Sequence, residues 1–157
     1  MSKPEFVYIT YIETTPEKLW EALTNSEFSR RYWWDTRVVS DWKVGSPFSL
    51  VLNDRTTDVG EVLQADRPRR LSYTFHHVLN EAARKEPPTR VTFVLEQFGE
   101  LVKLTLTHED FAEDNVIIDG ISKGWPAIMS SVKSMLESGT PLAIPVGALH
   151  IEGLSQP

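Results

Sequence analysis

Ser122-Lys123-Gly124-Trp125-Pro126-Ala127-Ile128-Met129-Ser130-Ser131-Val132-Lys133-Ser134-Met135-Leu136-Glu137-Ser138-Gly139 is the stretch on which the fold turns. Its large apolar residues fall at 125, 128, 129, 132, 135 and 136, one face of a helix with a period near 3.6. The spacing predicts a helix of about three to four turns, with Pro126 in the first turn and Gly139 as the C-terminal stop. A helix apolar on one side needs a surface to cover. The chain before it reads mainly as β-strand, and one helix laid across a sheet buries both.

At the other end of the chain, Phe6 to Ile12 is rich in β-branched and aromatic residues and reads as a strand. Thr15, Pro16 and Glu17 then form a helix start: an N-cap, a first-turn proline and a carboxylate favourable to the dipole. Leu19, Trp20 and Leu23 supply its buried stripe, and Asn25-Ser26-Glu27 restarts a second short helix carrying Phe28, Tyr32 and Trp33. Between this pair and the long helix the signal is about six antiparallel strands. They are Thr36 to Asp41, Phe48 to Leu52, Val59 to Leu63 with Gly60 as a bulge, Leu71 to His77, Val91 to Leu95 and Val102 to His108. Alternation places Leu71, Tyr73, Phe75 and His77 on one face, and Val102, Leu104, Leu106 and His108 on one face of the last strand. Asn80 to Pro88 is polar and reads as a loop. Short connections imply a meander, not parallel crossovers.

A chain of 157 residues is expected to form one domain with a real core. It has no cysteine, which excludes disulfides and thiolate metal sites and fits a reducing cytoplasm. No secretory leader and no apolar run of about 20 residues is visible, so no membrane partner is expected. The net charge of −6 argues against nucleic acid as a partner. The local basic cluster Arg67, Arg69 and Arg70 reads as a solvated strand edge.

Thr15-Pro16-Glu17-Lys18-Leu19-Trp20-Glu21-Ala22-Leu23-Thr24 followed by Trp33-Trp34 resembles the opening of the helix-grip proteins. The likeness continues through Trp42, Val44-Gly45, Gly60-Glu61-Val62-Leu63 and Pro68-Arg69-Arg70-Leu71-Ser72-Tyr73-Thr74-Phe75. Arg90-Val91-Thr92-Phe93, Leu104-Thr105-Leu106-Thr107-His108 and Gly124-Trp125-Pro126 complete it. Over residues 5–139 the chain resembles the START-like, Bet v 1-like (SRPBCC) superfamily. Within that superfamily it resembles the family named for the C-terminal domain of the activator of heat shock protein 90 ATPase. The resemblance implies an α+β helix-grip fold, in which a curved antiparallel sheet wraps a long C-terminal helix and two short helices follow the first strand. The N-terminal domain of the eukaryotic activator, a major part of its chaperone contact, has no counterpart here; a single domain is the pattern of bacterial relatives. For those, a small apolar molecule held between sheet and helix is the implied role, by analogy of fold.

The inward aromatic residues Trp34, Phe48, Tyr73, Phe75, Phe93 and Trp125, with Met129 and Val132 from the helix, line either a ligand cavity or an ordinary packed core. His77 and His108 share the inward parity and are either polar handles of such a cavity or histidines satisfied within the protein. His108 is expected as the principal handle, neutral and pointing toward Trp125. The spacing of His, Asp and Glu gives no metal site, and His76 and His77 point opposite ways on one strand. There is no nucleophile elbow and no Gly-rich phosphate loop, so no catalytic residue and no cofactor is assigned. Glu109-Asp110 and Glu113-Asp114 read as negative charge near the N-terminus of the last helix.

The primary expectation is non-enzymatic binding of a small apolar or amphipathic molecule. The alternatives are a co-chaperone-like interaction protein and a cyclase- or hydrolase-like enzyme using the same cavity. Residues 140–157 form an apolar tail in which Leu142 to Ile151 is too apolar for a solvated end. That tail is expected to dock along Ala127, Ser131, Ser134 and Ser138 of its own body, or on a homodimer partner.

Overall fold

The computed structural model describes residues 5–149. Strand β1 (Phe6–Ile12) leads into α1 (Pro16–Thr24) and α2 (Ser26–Tyr32). The Thr15 hydroxyl accepts the Lys18 amide at 3.2 Å and the Asn25 side chain accepts the Glu27 amide at 2.9 Å, so each helix starts on the cap its sequence supplies. The meander follows as β2 (Arg37–Ser40), β3 (Pro47–Leu52), β4 (Arg55–Asp66), β5 (Arg70–His77), β6 (Thr89–Phe98) and β7 (Leu101–Glu109). A one-turn helix α3 (Glu81–Arg84) interrupts it, and α4 (Ile118–Ser138) closes it. The seven strands form one antiparallel sheet in the order β1-β7-β6-β5-β4-β3-β2, with β1 returning to pair with β7 from Phe6↔His108 to Ile12↔Val102. This is the α+β helix-grip architecture: a curved sheet holding a long helix across its inner face.

The inner face follows the expected parity. Leu71, Tyr73, Phe75, Val91, Phe93, Leu95, Val102, Leu104 and Leu106 are all buried, and Trp125, Met129, Val132 and Met135 of α4 close over them. Phe48 stacks on Tyr73 at 4.0 Å, and Phe93 meets Trp125 edge-on at 5.9 Å. Rings in contact at these distances add attraction beyond the area they bury.

Three local readings need correction. Helix α4 begins at Ile118, so Pro126 sits in its interior and not in its first turn. Proline removes the amide that would bond the Ser122 carbonyl; Ser122 is exposed, where water can take that carbonyl. The segment Asn80 to Pro88 holds α3 because Asn80 caps it, accepting the Ala83 amide at 3.1 Å. Gly60 is not a bulge, since β4 and β5 keep one register from Val59↔His76 to Val62↔Tyr73 and slip only between Val62 and Gln64. A Cβ at Gly60 would lie 1.8 Å from the Thr74 carbonyl oxygen, so glycine is there for a close backbone approach.

After Gly139, which ends α4 in the left-handed conformation at φ 86°, the chain folds back on its own helix. The Ser131 hydroxyl donates to the Leu142 carbonyl at 3.2 Å and accepts the Leu142 amide at 3.0 Å. Ser134 donates to the Thr140 carbonyl at 2.7 Å, and Trp34 Nε1 to the Ile144 carbonyl at 2.7 Å. The small polar stripe of the helix thus receives the tail of the same chain. His150 and Ile151, at the end of the expected apolar segment, lie outside the described residues.

Candidate functional site: a cavity at the open end of the grip

The long helix does not seal the sheet along its whole length. Its C-terminal half is packed to the core through Met129, Val132 and Met135. Its N-terminal half, with Ile117 just before it, presents Gly120, Ile121, Gly124 and Ile128 to a cavity of about 550 Å³. Glycine at two of these positions leaves space that any other residue would begin to fill. Glycine costs a helix interior about 1 kcal/mol each relative to alanine. The opposite wall is Leu50 and Leu52 of β3 with Phe75 of β5; Trp33, Trp34 and Trp125 form the aromatic side, and Val146 of the tail reaches one edge. Exposed Asn53, Arg55, Leu79, Asn80 and Val116 mark the mouth.

One end of this apolar space is polar. The Thr57 hydroxyl donates to Asp58 Oδ2 at 2.7 Å, and His77 Nδ1 donates to Asp58 Oδ1 at 3.0 Å. Asp58 is a buried carboxylate, 6 % exposed. Its position follows from a register shift: Leu50 pairs with Asp58 but Val51 pairs with Thr56, so β4 carries Thr57 as an extra residue. A bulge of this kind reverses the alternation on one side of it. It puts Thr57, Asp58 and Arg55 all on the cavity wall. His77 stands directly opposite Asp58 on β5.

Among the residues expected from the sequence, Trp34, Phe75, His77 and Trp125 line the cavity. Phe48, Tyr73, Phe93, His108, Met129 and Val132 do not; they are buried in the packed core. The reason is physical. Strand parity decides which face a side chain takes, but not whether the helix above it is in contact or lifted away. Burial pushes the Tyr73 hydroxyl pKa well above the usual phenol value, with Tyr32 and Asp58 adding to the shift. Asp58, Thr57, Trp33, Ile117, Ile121 and Gly124 escaped sequence reasoning. The signal for the first two was Thr56-Thr57 ahead of the predicted strand, a β-prone pair that extends β4 back to Arg55.

His108 is the largest revision. It is fully buried and both its nitrogens are taken by the protein, so it is not a handle of the cavity. Trp125 Nε1 donates to its Nδ1 at 3.0 Å. Indole nitrogen is only a donor, so the proton of the neutral ring lies on Nε2. That nitrogen meets Thr89 Oγ1 at 2.7 Å, and Thr89 in turn donates to the Phe75 carbonyl at 2.9 Å. Burial lowers the His108 pKa to about 3, which keeps the ring neutral as the parity argument expected. Glu109 and Asp110 are likewise committed elsewhere, pairing with Arg90 at 3.2 and 3.4 Å, while Asp119 is the acidic residue in the first turn of α4. Among the described residues no group of three or more His, Asp or Glu could hold a metal ion, and no helix is long and apolar enough to cross a membrane.

Comparison with known proteins places this geometry. The Aha1 dimer from Colwellia psychrerythraea superposes with a TM-score of 0.72 at 20% identity, over 87% of this chain and 98% of that one. A protein of Cytophaga hutchinsonii gives 0.69 at 26% identity, over 88% and 97%. An HSP90 activator from Plasmodium falciparum gives 0.59 at 22% identity, over 83% and 86%. No curated protein matches. The family model described as Activator of Hsp90 ATPase homolog 1-like protein matches residues 13–137, from the end of β1 to the last turn of α4. Strands β2 to β7, helices α1 to α3 and all of α4 but its last residue fall inside that match, and the chain belongs to the Activator of Hsp90 ATPase homolog 1-like family.

Proposed function

We propose that this protein binds a small apolar or amphipathic molecule in the cavity between the N-terminal half of α4 and strands β3 to β5. The observation that carries the reading is the cavity of about 550 Å³, walled by Trp33, Trp34, Phe75, Trp125, Ile121 and Ile128, with polar groups gathered at one end. Pockets of this size with apolar walls and few polar groups suit molecules of a few hundred daltons. Among the described residues no group of three or more His, Asp or Glu that could hold a metal ion accompanies it.

Fluorescence titration with N-phenyl-1-naphthylamine tests the reading. The wild type takes up the dye with micromolar affinity, and Ile121→Trp, which places an indole in the space, weakens uptake at least tenfold. Equal binding by both proteins, or none by either, would sink it.

A second reading, an interaction protein, has its own support. On edge strand β1, Val7, Ile9 and Tyr11 are 48 %, 51 % and 42 % exposed, and Phe98 beside Tyr11 is 58 % exposed. A contiguous apolar strip on an edge strand is a place for another chain, either a second copy or a chaperone. Sedimentation of the wild type against Ile9→Lys tests the first. Stimulation of an Hsp90 ATPase, lost in the same variant, tests the second. No change in either assay removes the strip from the function.

A further inference from the structure

Asp58 and His77 stand opposite each other on β4 and β5, at one end of the cavity. Both oxygens of Asp58 are committed, Oδ2 to Thr57 and Oδ1 to His77. The carboxylate therefore fixes the imidazole. With Nδ1 turned to Asp58, Nε2 is the ring atom left over, and it makes no hydrogen bond among the described residues. His77 lines the cavity. A carboxylate holding Nδ1–H fixes the tautomer in which Nε2 carries the lone pair.

We infer that this end of the cavity recognises a hydroxyl group, with His77 Nε2 accepting the ligand O–H while the ring body of the ligand lies against Trp34, Phe75 and Trp125. The inference rests on the proposed ligand-binding role of the cavity and names the chemical class: a phenol or a hydroxylated fused-ring compound. A hydroxyl is the fitting group on three grounds. It donates to the lone pair that the bond to Asp58 leaves on Nε2. It is neutral, so entering an apolar space costs far less than it would for a charged head group. The cation available to an anionic head is Arg55, which sits at the exposed mouth and would hold such a ligand at the rim instead.

Matched probes test this: 2-naphthol, 2-methoxynaphthalene and 2-naphthoate, titrated into wild type, His77→Leu and Asp58→Asn. One hydrogen bond to a neutral acceptor corresponds to about a fivefold difference in affinity. Wild type is expected to prefer 2-naphthol to its methyl ether by that factor, and His77→Leu to bind the two alike while keeping its affinity for the ether. Asp58→Asn frees the ring and lowers the preference. In wild type labelled with ¹⁵N, saturating 2-naphthol moves the His77 Nε2 resonance and the ether leaves it in place; this readout needs no variant to fold. Equal binding of naphthol and ether by wild type overturns the hydroxyl site and leaves the cavity reading standing. A preference that survives in His77→Leu overturns it as well, and tighter binding of 2-naphthoate puts the ligand's polar group at Arg55 on the rim and not at His77. Failure of all three probes to bind removes both the inference and the reading beneath it.

Discussion

At the scale of single residues, the buried chain Trp125–His108–Thr89–Phe75 is the best-defined polar feature of the interior. Every donor and acceptor in it is satisfied, so truncating one member strands another. His108→Leu leaves the Trp125 indole N–H and the Thr89 hydroxyl short of partners, and is expected to cost about 1–3 kcal/mol at pH 7 by chemical denaturation. The same histidine sets a pH dependence. Its folded pKa is lowered to about 3 by burial, below the 6.5 of an unfolded histidine. Between those values the unfolded chain binds the proton and the folded one does not, so stability rises with pH across the window and is full above it. The wild type should lose on the order of 2 kcal/mol from this residue alone between pH 6.5 and pH 5. His108→Leu should show a flatter profile there; parallel profiles would mean the ring is not held neutral. The inward parity of Val102, Leu104, Leu106 and His108 was legible in the alternation alone. That His108 would find Thr89 and Trp125, rather than a ligand, was not: its partners lie 19 and 17 residues away, on another strand and on the helix.

At the scale of elements, most of the sequence signals were local and reliable. Thr15 and Asn25 cap their helices because a short oxygen-bearing side chain before a helix can take its free amides wherever the helix then packs. Signals that need a neighbour were the ones misread. Pro126 looks like a first-turn residue when only Trp125 and its successors are counted, since the turns before it are thinned by Gly120 and Gly124. Restoring an interior amide with Pro126→Ala is expected to stabilise the protein by about 1–3 kcal/mol, visible as a melting point raised by several degrees. An unchanged or lower melting point would mean that the ring's packing outweighs the recovered hydrogen bond. Gly60 is the converse case. Gly60→Ala must displace the Thr74 carbonyl and is expected to cost about 2 kcal/mol or more; a neutral substitution would contradict the close approach of β4 and β5. The extra residue at Thr57 escaped notice because a bulge is a relation between two strands and has no signature in one.

At the scale of the whole molecule, the helix-grip architecture follows from a simple mismatch. A strongly curved sheet and a straight helix touch well over part of their length and diverge over the rest. Here the contact half is filled by Phe48, Tyr73, Phe93, Met129 and Val132, and the diverging half is the cavity. The order of elements and the inner face could be read from periodicity; the place where contact ends could not, because it depends on the tilt of α4 against β3 to β5. Trp34 illustrates the join. It lies on the cavity wall, takes a left-handed backbone at φ 46°, and donates its indole N–H to the tail at Ile144. An uncommon backbone for a bulky residue persists only where its surroundings hold it; here a helix end, the cavity and the returning tail meet on one side chain.

The central claim, that the interior space and not the outer face of β1 receives an apolar molecule, is tested most directly by amide ¹H–¹⁵N NMR during titration with N-phenyl-1-naphthylamine. Binding in the interior predicts shifts concentrated at Phe75, His77, Ile121, Gly124 and Trp125, with Val7, Ile9 and Tyr11 unmoved. Shifts confined to Val7, Ile9, Tyr11 and Phe98, with the cavity residues unmoved, would contradict it.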